Sequence, residues 1–471
     1  MTAPDQPPAS LDRETRDARP TDAGPSTVRL ALLVAAAALL IAVTVARRHS
    51  VASTLLVLGA AATGGGVALL EARRPRLGPR PVVAAIGVVL LVAVSVGPRS
   101  SNDVWSYTMY GRMVSVHHAS PYAHVPADFK SDPFQHLVSP IWQHRGSVYG
   151  PAFVAYAAAL TFAAGDSRTV DRLLFQLGAA LVVIAALALV WRRTRSPAAL
   201  AFLGLHPVFG AIIVNSGQIE AFIGLAILAA VVLVAERRGA AAGVAIAVAS
   251  LVKVTSLVAL PPVLLWAWRR GDRRVATRAA VATVGLVGVV YLPFVAGQSH
   301  VLSGADHAVT PGSPWNLPAQ LFVGKDAGRD LPGLMPSNST LDVLFYVSLA
   351  LVAVLALGLA WRWARADRLE LAAGAATASY AVAAEYTLPW YAGWALPVVT
   401  ERRPSPLAWV LWLQAVVLLA AWKLPTHHTG GVADTVLRGT FAYALPLVLL
   451  VAFAAARDRR PAEEAAALAR S

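Results

Sequence analysis

Long apolar runs separated by short arginine-rich links dominate the pattern along this chain. The runs are about 17–22 residues long, close to the length of helix that crosses a bilayer. Links such as Arg192-Arg193 and Arg402-Arg403 end several of them. The pattern predicts an all-α polytopic membrane protein, a single bundle of about 12–14 transmembrane helices without a separate soluble domain. Ala198–Val214 and Leu388–Val399 are two of the predicted spans.

Two long polar intervals interrupt the apolar pattern, at residues 98–150 and 296–340. If the basic links face the cytoplasm, both intervals are outer loops and both chain ends are cytoplasmic. Arg47 and Arg48 conflict with this assignment, but the other links outweigh them. Aromatic residues in 98–150 predict helices that lie at the membrane interface. The apolar run Pro151–Gly165 is short and predicts a juxtamembrane or re-entrant helix.

The chain ends lack the apolar pattern. Residues 1–27 are rich in Pro, Asp, Arg and Thr, which predicts a disordered cytoplasmic tail rather than a signal peptide. Residues 461–471 form a second predicted cytoplasmic tail. The transmembrane domain is therefore expected to span residues 28–460.

Composition supports a membrane protein and excludes several classes of site. The 471 residues are 57% hydrophobic and 14% charged, whereas about a quarter of the residues of a soluble domain are charged. The net charge of +14 follows from the basic links, so we expect no nucleic-acid partner. The absence of cysteine excludes disulfides, Cys-ligated zinc and thiol nucleophiles.

Asp103 lies where the third apolar run gives way to the first polar interval. A carboxylate at the mouth of a span is costly unless it has a task. It could cap the helix that follows, or act as a general base on a hydroxyl. Asn102, Trp105 and Tyr107 offer hydrogen bonds and a flat ring surface suited to sugars, and Arg112 could face a phosphate.

A second polar cluster, which includes Gln218 and Glu220, is predicted on the same side of the membrane. It could be a simple turn between two helices or part of the site.

Lys253 stands in the otherwise apolar stretch 240–260, and the chain has only four lysines. Its ammonium could snorkel to the interface, but its place between two short predicted helices favours a cavity where it meets a lipid phosphate.

Aromatic residues accompany the outer ends of two further segments. Tyr386-Thr387-Leu388-Pro389-Trp390-Tyr391 begins a predicted span, with Trp394 one turn later, and Pro314-Trp315-Asn316-Leu317 lies in the second outer loop. Each could belong to an aromatic belt or wall a substrate groove.

Several short motifs together resemble the GT-C glycosyltransferases that use polyprenyl-phosphate sugars, and most closely the actinobacterial polyprenyl-phosphomannose-dependent α-1,6-mannosyltransferases. They are Asp103-Val104-Trp105-Ser106-Tyr107 with Gly111 and Pro121-Tyr122, Tyr149-Gly150-Pro151, Leu251-Val252-Lys253-Val254-Thr255, and Leu388-Pro389-Trp390-Tyr391 with Trp394. The chain departs from the family pattern at Trp105, at Ser120, and at Gln218-Ile219-Glu220, where the family often has His-Asn-Asp.

The resemblance implies a GT-C-like bundle in the plasma membrane with its active site on the outer face. Asp103 would be the general base of an inverting transfer of a sugar, most plausibly mannose, to a lipid-linked envelope glycan. Lys253 and Arg112 would bind the donor phosphate. The residues expected to bind the acceptor or sugar are Asn102, Trp105, Tyr107, Tyr149, Gln218, Glu220, Trp390 and Tyr391. No cofactor or metal ligand set is indicated, although some GT-C enzymes use a divalent cation.

Two other functions fit the same pattern. The same chemistry could transfer another sugar, such as arabinofuranose. A transporter or flippase of lipid-linked sugars belongs to a different class, and would place polar groups near the bilayer midplane in two related halves. No internal repeat is evident in the chain.

Overall fold

In a computed structural model, residues 27–46, 49–295, 309–322, 339–425 and 429–457 can be described, and within these ranges the chain is helical without a β-strand. The first half contains α1 (Thr27–Val45), α2 (Val51–Arg73), α3 (Pro79–Ser95), α4 (Asp103–Ser115), α5 (Pro140–Gln143), α6 (Pro151–Ala164), α7 (Arg168–Thr194), α8 (Pro197–Gly204) and α9 (Glu220–Ala235). The second half contains α10 (Gly239–Val252), α11 (Leu260–Arg269), α12 (Arg273–Val295), α13 (Asn316–Phe322), α14 (Ser339–Arg365), α15 (Leu369–Ala383), α16 (Ala392–Val399), α17 (Pro406–Lys423), α18 (Val432–Arg438) and α19 (Leu445–Ala455).

The helices confirm an all-α polytopic membrane protein. Among the described residues, seven helical stretches are long and apolar enough to cross a bilayer, and five shorter apolar helices accompany them. Large apolar side chains on the long helices, such as Leu181, Val289 and Val354, remain exposed. Such a surface suits contact with lipid rather than water. The two predicted tails and most of the second outer loop lie outside the described residues.

One segment predicted as a continuous span is interrupted, and another is too short to cross a bilayer. The predicted span Ala198–Val214 consists of α8 and a π-helical segment, Phe209–Val214, with Pro207 between them. Proline lacks a backbone N–H and cannot continue the α-helical ladder. The predicted span Leu388–Val399 is formed by a 3₁₀ turn, Pro389–Tyr391, and the eight residues of α16 that follow it directly. The eight α-helical residues extend about 12 Å at 1.5 Å per residue, less than half of the hydrocarbon core.

Lys253 occupies a break between two helices, as the sequence predicts. Helix α10 ends at Val252, and a 3₁₀ turn, Val254–Ala259, leads into α11. The carbonyl of Val252, left without a helical partner, accepts a hydrogen bond of 2.9 Å from the N–H of Gly150. This bond joins the end of the first polar interval to the lysine segment.

Helix α7 relates the two ends of the bundle. Near its start, Arg168 donates to the carbonyl of Pro133 in the first polar interval. Its 27 residues extend about 40 Å and end at Arg192 and Arg193. Just beyond that end, Ser196 donates to the carbonyl of Arg402. Arginines from separate links are thus gathered at the end of the bundle opposite to residues 98–150.

The first polar interval is tied closely to the bundle. Helix α4 packs along α6, and Gly111 makes this approach possible, because a Cβ at that position would lie 2.5 Å from the carbonyl oxygen of Ala157. The contact fixes the direction in which α4 presents the residues of its first turn.

Candidate active site

Asp103 is the first residue of α4, and its side chain is partly exposed. Its backbone N–H donates to the hydroxyl of Ser101 at 3.1 Å. A carboxylate in the first turn of a helix is stabilised by the unpaired N–H groups and the helix dipole. The preceding residue, Asn102, is the N-cap but makes no side-chain capping bond.

The buried side chain of Gln218 binds the carboxylate of Asp103 on the face that points into the protein. Its Nε2 donates to Oδ2 of Asp103 at 2.9 Å. Its Oε1 accepts a hydrogen bond of 2.6 Å from the hydroxyl of Tyr107. The hydroxyl of Tyr149 approaches that of Tyr107 at 3.4 Å, a long contact for two hydroxyl groups. Two aromatic side chains and one amide therefore support the candidate base.

Lys253 is surrounded by aromatic rings. Its Nζ lies 4.4 Å from the ring centroid of Tyr391, 5.0 Å from that of Trp394 and 5.8 Å from that of Tyr149. The hydroxyl of Tyr391 is 3.4 Å away. Ring faces attract an ammonium group without neutralising it. Lys253 keeps part of its surface accessible, so its positive charge is available to an anionic ligand.

Glu220 completes a group of three charges. Its carboxylate interacts electrostatically with both Lys253 and Asp103, although the side chain is 1% exposed. Neither carboxylate oxygen has a hydrogen-bond partner of good geometry among the described residues; the nearest donors are the backbone N–H groups of Ile219 and Glu220. A buried carboxylate of this kind requires a neighbouring cation, and Lys253 supplies one.

Glycines allow the segments of the site to approach each other. A Cβ at Gly150 would lie 2.2 Å from the carbonyl oxygen of Leu251, and a Cβ at Gly224 would lie 1.9 Å from that of Gly393. The first contact places Tyr149 beside Lys253. The second brings α9, which starts at Glu220, against α16, which follows the Pro389–Tyr391 turn.

Arg112 takes part in a different cluster. Its Nε donates to both carboxylate oxygens of Asp132, its Nη1 to the carbonyl of Gly165 and its Nη2 to Asp166. The side chain is 3% exposed, and the guanidinium lies over the ring of Phe134. The structure thus uses Arg112 to fasten α4 to the start of α7 and does not bring it to Lys253.

The electrostatics of this cluster support a structural role. Burial alone would favour the neutral form of Asp132. The backbone N–H of Phe134, the ring of His117 and the guanidinium of Arg112 all donate to its carboxylate, and together they hold the pKa of Asp132 below its ordinary value.

The remaining predicted site residues divide into buried and accessible groups. Trp390 is 4% exposed and packs against Trp422, with ring centroids 5.2 Å apart. Trp105 is partly exposed beside Phe134, and Asn102 is partly exposed next to Asp103. Of the residues predicted to contact the sugar, three have partly exposed side chains: Asn102, Trp105 and Tyr149.

Arg145 was not singled out from the sequence. It interacts electrostatically with the hydroxyls of Tyr110 and Tyr386, both of which also interact with Asp103. No local pattern distinguishes Arg145 from the other charged residues of the interval, since only the packing of the loop brings it beside Tyr110, whose hydroxyl donates to the carbonyl of Arg145 at 3.3 Å. Among the described residues, no three His, Cys, Asp or Glu side chains are grouped so that they could hold a metal ion.

Comparison with known proteins relates this arrangement to a family. Residues 22–270, just over half of the chain, match the family model of the alpha-(1->6)-mannopyranosyltransferase N-terminal domain. Alpha-(1->6)-mannopyranosyltransferase A of Mycobacterium tuberculosis (strain ATCC 25618 / H37Rv) is 27% identical over 355 residues, which cover 71% of this chain and 67% of that protein. Residues 22–270, which match the family model, include Asp103, Gln218 and Lys253, whereas Tyr391 lies beyond them.

Proposed function

Because the chain belongs to the alpha-(1->6)-mannopyranosyltransferase family, we propose that it transfers mannose from a polyprenyl-phosphate donor to a lipid-linked glycan of the cell envelope. Family membership makes the chain a glycosyltransferase. The observation that supports the finer proposal is one electrostatic group in which an accessible carboxylate, Asp103, and a ring-bound ammonium, Lys253, both interact with Glu220. A base and an anion-binding cation are the two groups that this transfer requires.

The proposed reaction is a single displacement. Asp103 takes the proton of the acceptor hydroxyl as the hydroxyl oxygen forms a bond to the anomeric carbon of the donor. The bond from that carbon to the phosphate oxygen breaks, and the phosphate leaves with the bonding electrons. The stereochemistry at the anomeric carbon is inverted. An α-linked product therefore requires a β-linked donor, and a 1→6 linkage requires a primary hydroxyl as the acceptor.

Lys253 stabilises the leaving phosphate in this scheme. Its ammonium lies among ring faces that attract it but do not cancel its charge, so a charge-assisted hydrogen bond to a phosphate oxygen remains possible. We assign the phosphate to Lys253 rather than Arg112, because the donors of Arg112 are used by Asp132, Gly165 and Asp166. The scheme needs no cofactor.

The apolar donor chain suits the location of the site. Lys253 lies at a break between short apolar helices, where a lipid phosphate can meet the ammonium while its prenyl chain stays in the bilayer. The arginines at the far end of α7 support a cytoplasmic location for that end. We therefore place Asp103 at the outer face of the plasma membrane and both chain ends in the cytoplasm.

Reconstitution with a panel of donors tests this function. The purified protein in lipid nanodiscs would receive labelled polyprenyl-phosphomannose or polyprenyl-phosphoarabinofuranose, together with a short α-1,6-linked mannoside. We expect mannose to be transferred to a primary hydroxyl, identified by linkage analysis of the product. Transfer of arabinofuranose alone would contradict the assigned sugar. Movement of the donor across vesicle membranes without any glycoside product would contradict the enzyme and favour a transporter.

A further inference from the structure

We infer that Gln218 and Tyr107 are positioning residues that orient and ionise the carboxylate of Asp103, and that they do not contact the acceptor sugar. The inference rests on the proposed function, because it assigns them a task in the action of the base. It also replaces the sugar-binding role that the sequence suggested for both residues.

Burial separates these two residues from any substrate. Gln218 and Tyr107 are both 0% exposed. The ring of Tyr107 packs against Phe153 and Phe175, with centroids 5.0 and 6.1 Å away. Asp103, by contrast, is partly exposed. A sugar hydroxyl can therefore reach the carboxylate but not the amide or the phenol behind it.

The chemistry of the groups fixes the direction of the hydrogen bonds. An ionised carboxylate only accepts hydrogen bonds, so the amide of Gln218 must present its nitrogen to Asp103. Its oxygen is then directed at Tyr107, which must donate its hydroxyl proton. The observed contacts of 2.9 Å and 2.6 Å have this polarity. If Tyr107 could not donate, the amide would lose the group that selects this orientation.

The ordered amide favours the charged form of the base. Hydrogen bonding to a carboxylate lowers its pKa, whereas a neighbouring negative charge raises it. Glu220 is such a neighbour, so Gln218 opposes its effect, as does Lys253. The titratable groups that interact electrostatically with Asp103 are Tyr107, Tyr110, Tyr149, Tyr386, Glu220 and Lys253. Gln218 is uncharged, and it acts on the carboxylate through the hydrogen bond that its Nε2 donates to Oδ2 of Asp103.

The test compares the pH dependence of transfer in the full-length protein. In Gln218→Met the donor is lost with little change in side-chain length, and in Tyr107→Phe the ring stays but the hydroxyl is removed. Because losing a bond to a charged group costs about 1.5–3 kcal/mol, we expect kcat at neutral pH to fall about 10- to 100-fold in Gln218→Met. The acidic limb of the profile should move up by about one to two pH units, since each pKa unit corresponds to about 1.4 kcal/mol. In Tyr107→Phe the acidic limb should move in the same direction by a smaller amount. The KM for the donor should stay within about twofold in both variants.

Tyr156→Phe is the matched control. Tyr156 also packs against Phe153 and Phe175, but its buried hydroxyl has no hydrogen-bond partner among the described residues. Removing that hydroxyl should leave both kcat and the pH profile unchanged.

A second substitution separates positioning from folding. In Gln218→His a ring nitrogen can still donate to the carboxylate, so activity should recover in part relative to Gln218→Met. An acidic limb that stays in place in Gln218→Met and Tyr107→Phe would overturn the inference, as would a loss confined to the KM for the acceptor. Asp103→Asn, measured in parallel, separates a failure of the positioning role from a failure of the proposed function. Full activity in Asp103→Asn would overturn the proposed function itself.

Discussion

Replacing Lys253 by methionine should weaken binding of the donor far more than it changes the fold. In the free protein, the ammonium is held at 4.4 and 5.0 Å from the ring centroids of Tyr391 and Trp394, and methionine can occupy the same apolar ring surface. The phosphate of the donor, however, would lose its cation.

The size of the effect follows from the contacts that remain. Losing a hydrogen bond between charged groups costs about 1.5–3 kcal/mol, which corresponds to about a 10- to 100-fold loss of donor affinity. Glu220 and Asp103 would then face the phosphate without a compensating charge, and their repulsion adds to the loss. The estimate is therefore a lower bound.

The assay is a donor titration in mixed micelles at fixed detergent-to-lipid ratio, with the transfer rate as the readout. Lys253→Arg should retain part of the donor affinity, because it keeps the charge. Lys130→Met is the matched control, since Lys130 lies exposed in the first polar interval and should not affect the donor KM. An unchanged donor KM in Lys253→Met would refute the phosphate assignment.

Two further predictions concern the packing around the site. In Gly150→Ala the added Cβ would lie 2.2 Å from the carbonyl oxygen of Leu251, so both the melting temperature and the donor affinity should fall. The control Gly87→Ala, where no atom lies within 4 Å of the added Cβ, should change neither. Equal melting temperatures for the two variants would contradict the close approach of Gly150 to Leu251. In Asp132→Asn, Arg112 loses the buried one of its two carboxylate partners and keeps Asp166. We expect up to about 3 kcal/mol less stability at pH 7 without a change in donor KM. The pKa of Asp132 is lowered in the folded state. Its contribution to the free energy of unfolding is therefore fully present above the ordinary pKa of an aspartate and is lost as the pH falls through the lowered value. The melting curves of Asp132→Asn and the parent protein should converge at acid pH.

Some parts of the site could be predicted because they break a local pattern. Asp103 lies just after an apolar run, at the start of the first polar interval, and Lys253 interrupts a stretch that would otherwise be wholly apolar. Pro389 opens an aromatic turn that stands out in the same way. An ionisable residue is costly in a membrane, so Asp103 and Lys253 can be recognised from the sequence as candidates for a site.

The contacts that organise the site could not be predicted. Tyr107 and Gln218 are 111 residues apart in the chain, and no spacing rule relates them. Arg112 has the charge needed for a phosphate site, but it is engaged by Asp132 from the first polar interval and by Asp166 from the link between α6 and α7. Sequence reports the charge of a side chain, whereas only the fold determines its partner.

The points at which helices stop could not be predicted from the sequence either. Apolar composition indicates that a segment lies within the membrane, but not whether its helix is continuous. At the break between α8 and the π-helical segment, His206 accepts a hydrogen bond from the N–H of Val208 through Nδ1 and donates from Nε2 to the carbonyl of Trp412 in α17. Buried partners of this kind let a helix stop within the bundle, where lipid would not allow it.

The most direct test of the account is the single-turnover rate of mannosyl transfer by Asp103→Asn, with binding of polyprenyl-phosphomannose measured on the same preparation. Asparagine keeps the size of the side chain and can still pair with Gln218, but it cannot take a proton. We expect donor binding within about threefold of the parent protein and a transfer rate at least 100-fold lower. A transfer rate equal to that of the parent protein would show that Asp103 is not the base.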